Sequence, residues 1–265
     1  MMPELEEEIK ARKLAKKEKR KAGRKKRLKR WGTVLIVLAI FLVAAIFGIV
    51  KVVENYNSKY GDYEELIKAL TETVDVSGLT TNKIGSTDYP SFIQKCQDAG
   101  VIVSDNGTSS GTVGSELSLS GNEIGAYVNK IMGEGAFELI EVSLYTKDGV
   151  DYIKTVSAIT ISKINKEVGN QTNMPEVMYI TTTSELYRFG NKLELRRSSS
   201  KINNLSDNAN KLIFDELLGE SYKEVDGIMN SVIVEKVNDF VKNSSAKLSL
   251  VADGDKILLK LSPAE

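Results

Sequence analysis

The sequence predicts an α+β protein: a transmembrane helix near the N-terminus, then an extracytoplasmic domain in which an antiparallel sheet packs on helices. Three observations carry this expectation. A twenty-residue run without formal charge, Trp31–Val50, follows a strongly basic head. Four extended segments, 137–147, 150–164, 176–189 and 192–202, are joined by turn signals. Apolar stripes at helical spacing stand on either side of that meander.

The formal charge of the 265 residues is zero only by cancellation. Residues 1–30 hold 14 Lys or Arg against 5 Asp or Glu, whereas the rest holds 22 against 31. A basic head on an acidic body marks two segments in different surroundings. The chain has no His and one Cys. That excludes His-based triads, His-ligated zinc, an intrachain disulfide and a thiolate cluster. No catalytic constellation is found, and the sequence predicts neither an enzyme nor a cofactor or metal.

Thirteen of the twenty residues from Trp31 to Val50 are Leu, Ile, Val or Phe. Together they favour insertion by roughly 4 to 8 kcal/mol, and at about 1.5 Å per residue the run spans a hydrocarbon core of about 30 Å. Arg30 and Lys51 bracket it, and no small-x-small cleavage site comes after it. Residues 31–53 are therefore read as an uncleaved signal anchor. The basic excess of 1–30 places that segment in the cytoplasm and residues 54–265 outside the cell membrane. Trp31, Tyr56 and Tyr60 suit the two interfaces. The basic run is read as a topology signal attracted to anionic lipid, with no nucleic-acid partner. Ala44 and Gly48 form a small-xxx-small pair compatible with a homodimer.

Beyond the span, residues 54–103 read as a helical juxtamembrane segment. Asp62 and Glu65 resemble a capping box before Tyr63, Leu66, Ile67, Leu70 and Val74. A second helix is expected from near Pro90 to before Gly100, with Phe92, Ile93 and Cys96 on its apolar face. Residues 104–115, rich in Ser, Gly and Thr, read as a flexible linker. In the domain 116–265, a short strand over 116–119 meets Ser120, and Glu123 completes a second capping box. Ile124, Tyr127, Val128, Ile131 and Met132 make that helix's stripe. The meander comes next, with Lys147-Asp148-Gly149 and Gly190-Asn191 as turns. Two helices succeed it, one over Ala209–Leu217 capped by Ser206 or Asp207, the other over Met229–Val241. A hairpin turning at Asp253-Gly254 closes the chain.

Several motif matches dissolve on spacing. Ser206-Asp207-Asn208 and the Ser-x-x-Lys pairs at Ser198 and Ser244 have the wrong order for a β-lactamase site, and Lys-Thr-Gly is absent. Asp148/Asp151 and Asp253/Asp255 sit on turns without calcium-loop spacing. Gly133-Glu134-Gly135 lacks a third glycine. Asn106, Asn170, Asn204 and Asn243 stand in glycosylation sequons.

The capped helix starting Leu119-Ser120-Gly121-Asn122-Glu123-Ile124, the strand Pro175-Glu176-Val177-Met178-Tyr179-Ile180 and the stretch Ile202-Asn203-Asn204-Leu205 resemble the bacterial YpmS-like signal-anchored membrane proteins. More distantly they resemble the tubular lipid-binding superfamily. The resemblance covers roughly residues 116–262. It implies a curved sheet wrapping a long helix around an apolar groove. The second and third strands also carry apolar residues on both faces. Candidates to line such a groove are Tyr127, Ile131, Ile159, Ile161, Met178, Ile180 and Leu195. Two functions remain open: an envelope protein holding a lipid or acyl chain, or an anchored scaffold recruiting another envelope protein with no small ligand. In the scaffold reading the polar segments 104–115 and 165–174 are the contact loops.

Overall fold

The computed structural model describes residues 76–103, 109–110, 115–133, 135–160, 163, 176–202, 205, 210, 227–253 and 256–263. The expected span 31–53, the helix after Asp62, most of the helix over 209–217 and the segment 165–174 lie outside them. Among the described residues no helix is long and apolar enough to cross a membrane.

A 3-10 turn, Val76–Gly78, precedes helix α1, Asp88–Asp98. Two short strands come after it, β1 (Ile102–Val103) and β2 (Ser109–Ser110), paired antiparallel. One strand of this two-residue ladder, β2, thus stands inside the stretch expected to be a linker. Strand β3 (Leu117–Leu119) leads into α2 (Gly121–Met132). The meander is β4 (Phe137–Lys147), β5 (Val150–Thr160), β6 (Val177–Phe189) and β7 (Lys192–Ile202). Helix α3 (Ile228–Ser244) and the hairpin β8 (Ala246–Asp253) and β9 (Lys256–Pro263) complete the described chain. The fold is α+β, with a four-stranded antiparallel sheet β4-β5-β6-β7 and a three-stranded one, β3-β9-β8. Strand β5 ends at Thr160, short of the expected 164, and Lys163 is already helical.

Local chemistry explains the boundaries. Ser120 Oγ accepts the Glu123 N–H at 3.3 Å while Glu123 Oε2 accepts the Ser120 N–H at 2.8 Å, closing the capping box that starts α2. Gly121 is required by proximity: a Cβ there would lie 2.1 Å from the Val142 carbonyl oxygen. The first turn of α2 therefore lies directly on β4.

Two irregularities decide which side chains turn inward. The β4–β5 register shifts between Leu139 and Glu141, and the β6–β7 register between Thr183 and Glu185, opposite Arg197 at φ +43°. One extra residue in β4 lets both Leu139 and Val142 face the core, which strict alternation forbids. On that inner face Leu144, Ile153, Leu186 and Leu193 meet Ile124 of α2, Ile233, Val234 and Val237 of α3, and Leu259 of β9. Helix α1 joins the same body through Phe92, whose ring lies 4.5 Å from Tyr127 and 5.8 Å from Phe240. The described residues on the two sides of 104–115 fall in one compact unit.

Candidate functional site

The seven groove candidates separate into three places. Tyr127 is 2% exposed; its ring stacks on Phe92 at 4.5 Å and meets Phe240 edge-on at 5.7 Å. Ile131, one turn on, is half-buried. Ile159, Met178 and Ile180 do come together: Ile159 pairs with Met178, and Ile180, two residues along β6, pairs with Ile202. All four are buried. Leu195 is half-buried opposite Leu186, about 20 Å along the sheet at roughly 3.3 Å per residue. Ile161 lies outside the described residues. A cavity of about 10 Å³ sits among the inner-face residues from Ile124 to Leu259, and none of the seven lines it. That volume holds one water at most, far below the several hundred Å³ of a small-molecule site.

Side-chain amides do much of the binding work inside the molecule. Asn129 of α2 accepts the Leu139 N–H and donates to the Leu139 carbonyl, both at 2.8 Å. Asn238 of α3 treats Leu193 in the same way, at 2.8 and 2.9 Å. Asn122 accepts the Val142 N–H at 3.0 Å, and Asn210 the Ile202 N–H at 2.8 Å. A carboxamide carries one acceptor and one donor, so it imitates a neighbouring strand. Both edges of the four-stranded sheet, β4 and β7, are sealed this way. Asn230, fully buried in α3, accepts from Thr155 Oγ1 at 2.8 Å and donates to Ser184 Oγ at 2.8 Å and to the Ile153 carbonyl at 3.2 Å. The pairs Thr182–Ser200 and Ser184–Ser198 extend that polar seam.

Two buried carboxylates act as clamps. Burial would raise the pKa of Glu123, but Lys95, Ser91 and the Ser120 N–H together hold it below its ordinary value. Lys95 Nζ lies 2.7 Å from Glu123 Oε1, tying α1 to α2. Glu141, wholly buried, is likewise pushed up by burial and pulled further down by Ser143 and by the Thr81 hydroxyl and N–H at 2.9 and 2.8 Å. It fastens residues 79–84 along β4. Burial, with the Glu123 charge second, pushes the Cys96 thiol up to about 12, so Cys96 is an inert core residue. Among the described residues no three Cys, Asp or Glu converge as metal ligands.

The outer face of the sheet has a different character. Cross-strand pairing lines up Tyr145, Tyr152, Glu185 and Arg196 in one row across β4 to β7. The two tyrosine rings stack at 5.3 Å, and the Arg196 guanidinium lies 4.6 Å from the centre of the Tyr187 ring. The Tyr187 hydroxyl donates to Glu185 at 3.1 Å, which raises its pKa. Arg197 reaches the other Glu185 oxygen at 3.4 Å. At the end of this face the β6–β7 hairpin presents Phe189, 73% exposed. Arg188 donates to the Gly190 and Leu248 carbonyls at 3.2 Å each, and Asn191 brackets the Ala246 carbonyl and the Leu248 N–H at 2.6 Å each.

Sequence reasoning identified Asn191 only as a turn residue and passed over the other amides, Glu141 and the tyrosine row. Asn129, Asn230 and Asn238 carried a readable signal, since Asn is a poor helix-interior residue unless its amide has a partner. The row of Tyr145, Tyr152, Glu185 and Arg196 was readable only in halves: the two-residue turns fix Tyr145 against Tyr152 and Glu185 against Arg196, but no local signal sets the β5–β6 register that joins the two pairs. Comparison with protein-family models, with curated proteins and with solved structures finds no match for this chain.

Proposed function

We propose that the chain is a single-pass, signal-anchored membrane protein whose extracytoplasmic domain is a recognition module of the cell envelope, working through its outer sheet face and not through an interior ligand site. The carrying observation is the ordered row Tyr145, Tyr152, Glu185 and Arg196, with Tyr187 beside it, on the face turned away from α2 and α3. Tyr and Arg are, with Trp, the side chains enriched among the residues that dominate protein interfaces. The inner face is spent on packing, which favours the scaffold reading over the lipid-holding one. The anchor itself rests on the sequence of residues 31–53 and the charge step across it.

The test is a pull-down with the full chain after cross-linking in intact cells, comparing the wild type with Tyr152→Ala/Arg196→Ala. One stoichiometric partner, lost in the double variant, supports the reading. Its retention in the variant refutes the assigned face.

The lipid-holding reading keeps one supporting observation: Ile159, Met178 and Ile180 share a face at one end of the sheet. Native mass spectrometry of the full chain released from nanodiscs separates the two readings. A single lipid mass that survives release, and disappears in Met178→Lys, supports the groove.

A further inference from the structure

We propose that the tip of the β6–β7 hairpin, with Phe189 foremost and basic side chains behind it, rests on the surface of an anionic bilayer. This rests on the reading that the chain is anchored in that bilayer. Phe189 is one of two large apolar side chains exposed among the described residues. Its setting is rigid: Arg188 and Asn191 bolt the hairpin to β8. Displaying an ordered ring therefore costs little conformational entropy when it meets a surface.

Charge points to the partner. Near the tip stand Arg188 and Lys192, Lys247 in the β8 segment that Asn191 brackets, and Arg196 four residues along β7, although residues 31–265 as a whole are acidic. Against them stand Glu194 and, in the neighbouring β4–β5 hairpin, Asp148 and Asp151 beside Lys147. Each basic side chain close to an anionic leaflet multiplies the bound fraction by roughly five. A lone phenyl ring among exposed cations suits a fluid anionic surface, which needs no shape complement.

Placement agrees. In the antiparallel order the β4–β5 and β6–β7 turns lie at the same end of the sheet. The Leu79 carbonyl meets Lys154, Thr81 meets Glu141, and Ile84 meets Ile140, so the chain traced back toward its N-terminus heads to that end. The twenty-two residues 54–75 separate the expected span from Val76. Fully extended they reach about 75 Å, so the tether permits the contact. Tethering also supplies an effective concentration on the order of millimolar, at which a weak surface contact is populated.

The experiment uses the full chain carrying Trp31→Phe and Phe189→Trp, reconstituted into vesicles of phosphatidylcholine alone or mixed with phosphatidylglycerol. Flotation reports the anchor, and quenching of the residue-189 indole by brominated acyl chains reports the tip. The expected result is flotation with both vesicles, but quenching only with phosphatidylglycerol. Raising the salt abolishes the quenching, and Lys192→Glu/Lys247→Glu lowers the inserted-to-free ratio at least tenfold. A chain that floats with both while its indole stays in water overturns the hairpin contact. So does quenching that is equal in both vesicles and indifferent to salt. A chain that floats with neither overturns the anchored reading, and this inference with it.

Discussion

Glu123 carries three duties at once: it closes the α2 capping box, accepts Ser91 Oγ at 2.6 Å and pairs with Lys95. Its pKa is lowered in the folded state, as is that of Glu141, from an ordinary 4.5. Both groups therefore add stability at neutral pH, and that stability is lost as the pH falls through their folded-state values. The urea midpoint of the wild type is expected to drop as the pH is lowered from about 5. In Glu123→Gln/Glu141→Gln the same descent is shallower, from a lower starting midpoint. Equal slopes in the two proteins would show that these carboxylates do not set the acid limb. Ser120→Ala removes only the hydroxyl half of the box and is expected to cost about 1 kcal/mol. Cys96, buried and with its thiol pushed up to about 12, should react with a thiol reagent only as fast as the domain opens. Labelling at the rate of a free thiol in native buffer would contradict that placement.

At the scale of elements, the amide seals explain how a four-stranded sheet keeps both edges from pairing with another chain. Asn129→Ala and Asn238→Ala each leave a buried backbone N–H and carbonyl without partners, so each should cost about 1–3 kcal/mol by denaturant unfolding. They bind opposite edge strands, β4 and β7, and share no partner, so the double variant should lose the sum. A loss well below the sum would mean that α2 and α3 dock as a coupled pair. These strands also mark where pattern reasoning ends. Alternation in Lys192–Arg196 correctly puts Leu193 inside. Along Phe137–Lys147, however, Leu139 and Val142 are both inward, and only the extra residue at the register shift permits it. A bulge leaves no period-two signature. Its consequences beyond the shift, the inward turn of Leu139 and the pairing of Leu139 with Ser157, were therefore illegible, whereas Tyr145 against Tyr152 and Glu185 against Arg196 follow from the two-residue turns at Asp148-Gly149 and Gly190-Asn191.

For the whole molecule, the element order from β3 to β9 was legible because capping and turn chemistry are local: Ser120 with Glu123, Gly190-Asn191, Asp253-Gly254. The attachment of α1 was not, since it depends on contacts far apart in sequence. Composition alone marks 104–115 as a linker and divides the residues on its two sides into separate bodies. Yet Phe92 packs against both Tyr127 and Phe240, and Lys95 grips Glu123 across the same seam. Aromatic side chains bury large areas, and their truncation in a core costs about 3–5 kcal/mol. If residues 76–103 were a separate juxtamembrane module, Phe92→Ala would melt that module alone and split the unfolding curve. Because the ring belongs to the common core, Phe92→Ala is expected to move a single cooperative transition to lower denaturant. Ellipticity and Cys96 accessibility should shift together, since two-state unfolding requires independent signals to coincide. A thiol exposed well before the sheet signal is lost would show that α1 docks on the domain without belonging to its folding unit.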